Sequence, residues 1–128
     1  MRSSVEFENE YVRIELKGGI MCAFFKTELL TKTIAVEGVK ARIKLSAGMS
    51  YPFFVNLYNV RSTTKDAREF LSTPEANVNI VAAAMLINSP VQRIMGNFFL
   101  AVNKPQIPLK LFTSTENAIE WLQQYNRP

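Results

Sequence analysis

From Pro52 onward, short apolar runs alternate with helix-start signals, and this alternation leaves few ways for the chain to bury its apolar surface. Residues 52–58, with Phe53, Phe54, Val55 and Leu57, read as a strand covered on both faces. Thr63-Thr64-Lys65-Asp66 has the spacing of a capping box, with Thr63 as the expected N-cap and Asp66 as its carboxylate. Ala67, Phe70 and Leu71 then give that helix an apolar face. Residues 79–88 hold Ile80-Val81-Ala82-Ala83-Ala84-Met85-Leu86-Ile87, a second buried strand whose alanines would let helices approach closely. It is expected in the middle of a sheet. Ser89-Pro90 supplies an N-cap followed by proline at the first helical position. Val91, Ile94, Met95, Phe98, Phe99 and Val102 follow at three- and four-residue spacings, which predicts a core-facing stripe. Residues 104–108 read as a loop and 109–112 as a strand. Thr113-Ser114-Thr115-Glu116 repeats the capping-box spacing before an amphipathic helix with Ala118, Ile119, Trp121, Leu122 and Tyr125 on one side.

The N-terminal part has a different period. Val12, Ile14 and Leu16 alternate with Arg13, Glu15 and Lys17, the mark of a half-buried strand, and Gly18-Gly19 joins it to the apolar run 20–25 as a β-hairpin. A short strand over residues 5–8 precedes it. Residues 27–48 fit both periods, since 39–45 alternate strictly while Leu30, Ile34, Ala41 and Leu45 lie on a helical stripe. Length, and the crossover that parallel pairing demands, favour a helix leaving at Gly48 and Pro52, with the extent of helix across 28–46 open. The order is thus an N-terminal β-hairpin and then αβαβαβα. This predicts a single α/β domain over residues 1–128, a mixed, mostly parallel sheet with helices packed on it.

Composition removes whole classes of mechanism. Histidine is absent, Cys22 is the single cysteine and Asp66 the single aspartate, so imidazole-assisted nucleophilic catalysis and clustered His or Cys metal sites cannot be assembled within one chain. Cys22 lies in an apolar run and reads as a core residue. The glutamates Glu28, Glu37, Glu69, Glu75, Glu116 and Glu120 form no pair at acid/base spacing, and there is no phosphate-binding Gly-rich loop. The expectation is a non-enzymatic protein with no catalytic residue, metal or cofactor. Its net charge of +4 comes from basic residues scattered among acids. The densest set, Lys40, Arg42 and Lys44, reads as a solvated face rather than a nucleic-acid patch. No apolar stretch is long enough to span a membrane, and Met1 to Glu6 lack a signal-peptide apolar region, which predicts a cytoplasmic location.

The order of elements, with Asp66-Ala67-Arg68-Glu69-Phe70-Leu71, the stretch from Ser89-Pro90-Val91-Gln92-Arg93 through Ile94-Met95-Gly96-Asn97-Phe98-Phe99, and Pro108-Leu109-Lys110-Leu111-Phe112 with Ala118-Ile119-Glu120-Trp121-Leu122, resembles the SpoIIAA-like group of the STAS (anti-sigma-factor antagonist) fold. That resemblance implies a four- or five-stranded sheet with packed helices, used in the group for protein–protein switching and in related families for nucleotide or lipid binding. Antagonists of the group carry a phosphorylatable Ser or Thr, usually after an Asp, at the start of the helix following the third core strand. The matching region here, Asn56-Leu57-Tyr58-Asn59-Val60-Arg61-Ser62-Thr63-Thr64, has no Asp, and Ser62 and Thr63 are hydroxyls in about the matching place. A phosphate there would sit favourably at a helix N-terminus.

The predicted function is a regulatory or protein-interaction domain. Ligands of open α/β sheets gather at the carboxyl ends of strands, so the candidate surface comprises Asn59, Arg61, Ser62, Thr63, Asn88, Ser89 and Arg93. The alternative is a small-molecule (lipid or nucleotide) binding protein of the same fold, with an apolar ligand among Phe24, Phe25, Phe53, Phe54, Phe98 and Phe99. Rings at these periods also serve simply to fill a core. A protein partner is expected, or a second copy paired along an exposed edge of the N-terminal hairpin.

Overall fold

Alternation and a glycine turn build the first part of the fold. In the computed structural model, which describes residues 5–103 and 107–126, β1 (Val5–Glu8), β2 (Val12–Lys17) and β3 (Ile20–Phe25) form an antiparallel meander. Gly18 and Gly19 take φ of 59° and 81°, the left-handed pair a two-residue hairpin turn needs. A Cβ on Gly19 would lie 2.6 Å from Asn126 Oδ1, and the Asn126 amide donates to the Gly18 carbonyl at 2.9 Å. The hairpin is not the sheet edge expected of it: β1 covers β2, and the edge strand carries Glu6 and Glu8. Arg13 bridges these two acids and Glu15, at 3.4, 3.0 and 3.2 Å.

After β3 the chain makes three parallel steps. Helix α1 (Lys32–Ser46) starts at Thr31, whose hydroxyl accepts from the Ile34 amide. Before it, β4 (Leu29–Leu30) pairs parallel with β6 (Ser62–Thr63), so the ambiguous segment is not helical throughout. Strand β5 (Tyr51–Asn56) leads through β6 to α2 (Lys65–Leu71) and a 3₁₀ turn (Glu75–Asn77). Then come β7 (Ile80–Leu86), α3 (Pro90–Asn103), β8 (Leu109–Phe112) and α4 (Thr115–Gln123). The main sheet has the order β1-β2-β3-β5-β7-β8. It has six strands where the resemblance implied four or five. Strand β7 is interior but lies next to the β8 edge, and β3 and β5 hold the centre.

The three crossovers step in the same direction, so right-handedness puts α1, α2 and α3 on one face. There Val12, Ile14, Met21, Ala23, Val55 and Met85 meet Ile34, Ala35 and Ala41 of α1. Among the described elements α4 is the helix on the other face, where Ala118 and Leu122 pack on Ile20, Phe54, Ala82, Ala84 and Leu86. Trp121 packs against Phe112 and Tyr125, ring centroids 5.6 and 5.1 Å away.

Four expectations are corrected in these helices. The caps are Thr64 and Ser114, whose hydroxyls accept from the Ala67 and Asn117 amides, each one residue later than Thr63 and Thr113. Thr63 is engaged in the β4–β6 ladder, and the Thr64 amide donates to Leu30. Ile94 is 71% exposed because α3 turns Gln92 and Gly96 inward instead, with Gly96 close against Leu111. The side chains of Val91, Met95, Phe98, Phe99 and Val102 lie outside the described residues, as do residues 104–106 of the expected loop. Arg42 is buried rather than part of a solvated basic face, while Lys40 and Lys44 are exposed.

Candidate functional site

Three chain segments leave the carboxyl ends of adjacent parallel strands and meet in one groove. After β3 come Lys26 and Glu28, after β5 Tyr58, Asn59, Val60 and Arg61, and after β7 Asn88, Ser89 and Gln92. Together they enclose about 660 Å³. The β5 segment is shaped locally: Asn56 accepts from the Tyr58 amide at 2.9 Å, and the Val60 amide closes a turn onto the Leu57 carbonyl at 3.0 Å. Val60 is fully buried beneath it.

Gln92 joins the segments. Its side chain is buried, its Nε2 donates to the carbonyls of Tyr58 (3.1 Å) and Val60 (2.7 Å), and its Oε1 accepts from the Asn88 amide (2.7 Å). One amide side chain thereby satisfies three backbone groups from two loops, which carbonyls and N–H groups near a protein interior require. Ser89 caps α3 by accepting from the Gln92 amide at 3.1 Å, and Pro90 occupies the first helical position as expected.

The charges at the rim are mostly committed to neighbours. Lys26 Nζ holds Glu8 at 2.8 Å, and that hydrogen bond, with the lysine charge behind it, lowers the Glu8 pKa below the usual carboxylate range. Arg61 Nε lies 3.7 Å from Glu28, both side chains largely in solvent, a pairing that contributes little stability. The Arg61 and Ser62 amides both donate to the Glu28 carbonyl, at 2.8 and 3.1 Å. The groove is therefore a mainly polar surface with Tyr58, half exposed, as the ring in its described lining.

Of the seven residues named from sequence, Asn59, Arg61, Asn88 and Ser89 line this groove. Ser62 and Thr63 lie in β6 beside it, and neither caps α2. Arg93 is exposed on α3, outside the lining. Lys26, Glu28, Tyr58 and Gln92 went unnamed. For Gln92 a signal existed, because Ser89-Pro90-Val91-Gln92 has capping-box spacing. The others depend on β3 and β5 lying side by side, which no local pattern records. Of the phenylalanines named for an apolar ligand, Phe25 and Phe53 belong to the α1 side of the sheet and Phe54 to the opposite, α4 side, while the side chains of Phe98 and Phe99 are outside the described residues.

Residues 14–126 match the family model described as a domain of unknown function, DUF7793. The chain belongs to the DUF7793 family. Among solved structures, this DUF7793 domain is similar to an uncharacterised protein of the DUF3478 family with a SpoIIAA-like fold from Shewanella loihica PV-4. The TM-score is 0.68 at 12% identity, covering 95% of this chain and 98% of that one. The likeness establishes the DUF7793 domain as SpoIIAA-like in fold. No curated protein matches its sequence. Among the described residues of the DUF7793 domain, no helix is long and apolar enough to cross a membrane, and no three His, Cys, Asp or Glu side chains group as a metal site.

Proposed function

We propose that this DUF7793 domain is a non-enzymatic, cytoplasmic regulatory module that recognises a protein partner through the groove at the carboxyl ends of β3, β5 and β7. The observation that carries this reading is the Gln92 clamp: the loops after β5 and β7 are tied together by a single buried amide that bonds backbone groups of both. Preorganised loops bind with less ordering cost than mobile ones. The rim offers Tyr58, Asn59, Arg61 and Asn88, a mixture of one ring, two amides and a guanidinium of the kind protein interfaces favour. Among the described residues its one acid, Glu28, stands beside Arg61 with no second carboxylate in the lining, which favours recognition over acid/base chemistry.

Affinity capture from the native cell tests the proposal with three baits: the unaltered chain, Tyr58→Ala/Arg61→Ala, and Glu120→Ala on α4 as a remote surface control. A partner held by the first and third and lost by the second is the expected result. Equal retention by all three, or by none, overturns it.

A further inference from the structure

Between the sheet and helices α1 and α2 lies a second space, a cavity of about 110 Å³ within the larger core. Its origin is a set of small residues facing one another, Ala23 and Ala83 from the sheet with Gly38 from α1 and Ala76 from the 3₁₀ turn. A Cβ on Gly38 would meet only the Phe25 ring, at 3.5 Å, so there is room where core packing normally leaves none. A dry apolar cavity of comparable size, about 150 Å³, takes up benzene.

Among the described residues one charged group lines this space. Arg42 is 3% exposed. Its Nη1 and Nη2 donate to the carbonyls of Val78 and Ala76, both at 2.8 Å, and its guanidinium lies over Phe53 at 5.4 Å from the ring centroid. Guanidinium has five N–H donors, and the remaining ones meet no acceptor among the described residues. No described carboxylate lies within ion-pair distance of it, and burial alone pulls its pKa down to about 10. Buried charges are ordinarily paired, because an uncompensated one is costly.

We propose that this cavity binds a small amphipathic carboxylate, its hydrocarbon part against Phe25, Phe53 and Met85 and its carboxylate on the free donors of Arg42. The apolar wall, the open volume and a cation with no counter-anion among the described residues are three features that one such molecule satisfies together. The inference stands apart from partner binding at the groove, since the two sites have different linings.

Titration calorimetry of the full chain with hexanoate and with hexanol at neutral pH tests it. Expected is saturable binding of one hexanoate per chain, about tenfold or more tighter than hexanol, the margin a charge-assisted hydrogen bond supplies. Arg42→Met should erase that preference, and Ala83→Leu, which fills the space and leaves Arg42 in place, should weaken both ligands, with folding of each variant followed by circular dichroism. No saturable uptake of hexanoate by the unaltered chain, equal affinity for hexanol, or undiminished binding by folded Ala83→Leu would each overturn the proposal. If Arg42→Met does not fold, the two-ligand comparison and Ala83→Leu still decide.

Discussion

Cys22 shows how far a residue's chemistry is set by its place in the sheet. Half-buried in β3 on the α4 side, its thiol pKa is pushed up to about 11, first by burial and then by the nearby charge of Glu15. The folded state therefore holds the proton more tightly than the unfolded chain. The stabilisation is complete below pH of about 9 and is lost as pH rises towards about 11. Chemical denaturation across that range is expected to show stability falling with pH in the unaltered chain, with a shallower fall in Cys22→Ala. Parallel slopes would show that Cys22 does not contribute. At neutral pH the same thiol should react with iodoacetamide far more slowly than an exposed cysteine. Arg42 makes the opposite point. Grouped with Lys40 and Lys44 by charge, it falls with Ile34, Ala35, Gly38, Ala41 and Ser46 by helical spacing, and the spacing prevails.

At the level of elements, Gln92 holds the groove, and its replacement separates clamp from cap. Gln92→Ala removes the partners of the Tyr58 and Val60 carbonyls and of the Asn88 amide. It should cost about 1–3 kcal/mol, the usual penalty for orphaned polar groups near the interior. The Ser89 cap uses the residue 92 backbone and is untouched. Amide exchange is expected to quicken across residues 57–61 while α3 stays protected, and uniform quickening of both would contradict the clamp. Which elements form was legible in the sequence wherever period and turn chemistry agree: the Gly18-Gly19 hairpin, β5, β7, β8 and α4 all lie where their residues predict. The caps slipped by one position because the hydroxyl-x-x-acid spacing selects Thr63 and Thr113, while the hydroxyls next to them, Thr64 and Ser114, accept the helix amides, and at the first pair Thr63 is taken by its pairing with Leu30. Two-residue strands such as β4 and β6 have no local signature, since each exists only by meeting the other. The groove was half legible for the same reason: Asn59 and Asn88 mark strand ends, but Lys26 joins them only through the parallel register Met21↔Phe53 to Phe24↔Asn56.

At the scale of the molecule the two faces of the sheet are covered unequally among the described residues, three helices on one and α4 on the other, so the second face depends on few side chains. Leu122 is wholly buried there. Leu122→Ala should cost about 2–5 kcal/mol and lower Tm by on the order of 10 °C, measured by thermal unfolding. Ile94→Ala, at an exposed position on α3, is expected to stay within about 0.5 kcal/mol of the unaltered chain. Comparable losses at both sites would contradict the burial that separates them. The bond from Asn126 to the Gly18 carbonyl spans 108 residues of sequence. It makes the end of α4 a clasp on the β2–β3 hairpin: a force peeling α4 away from residue 126 inward has to release the turn at Gly18 before it lays bare Phe54, Phe112 and the alanine surface of β7.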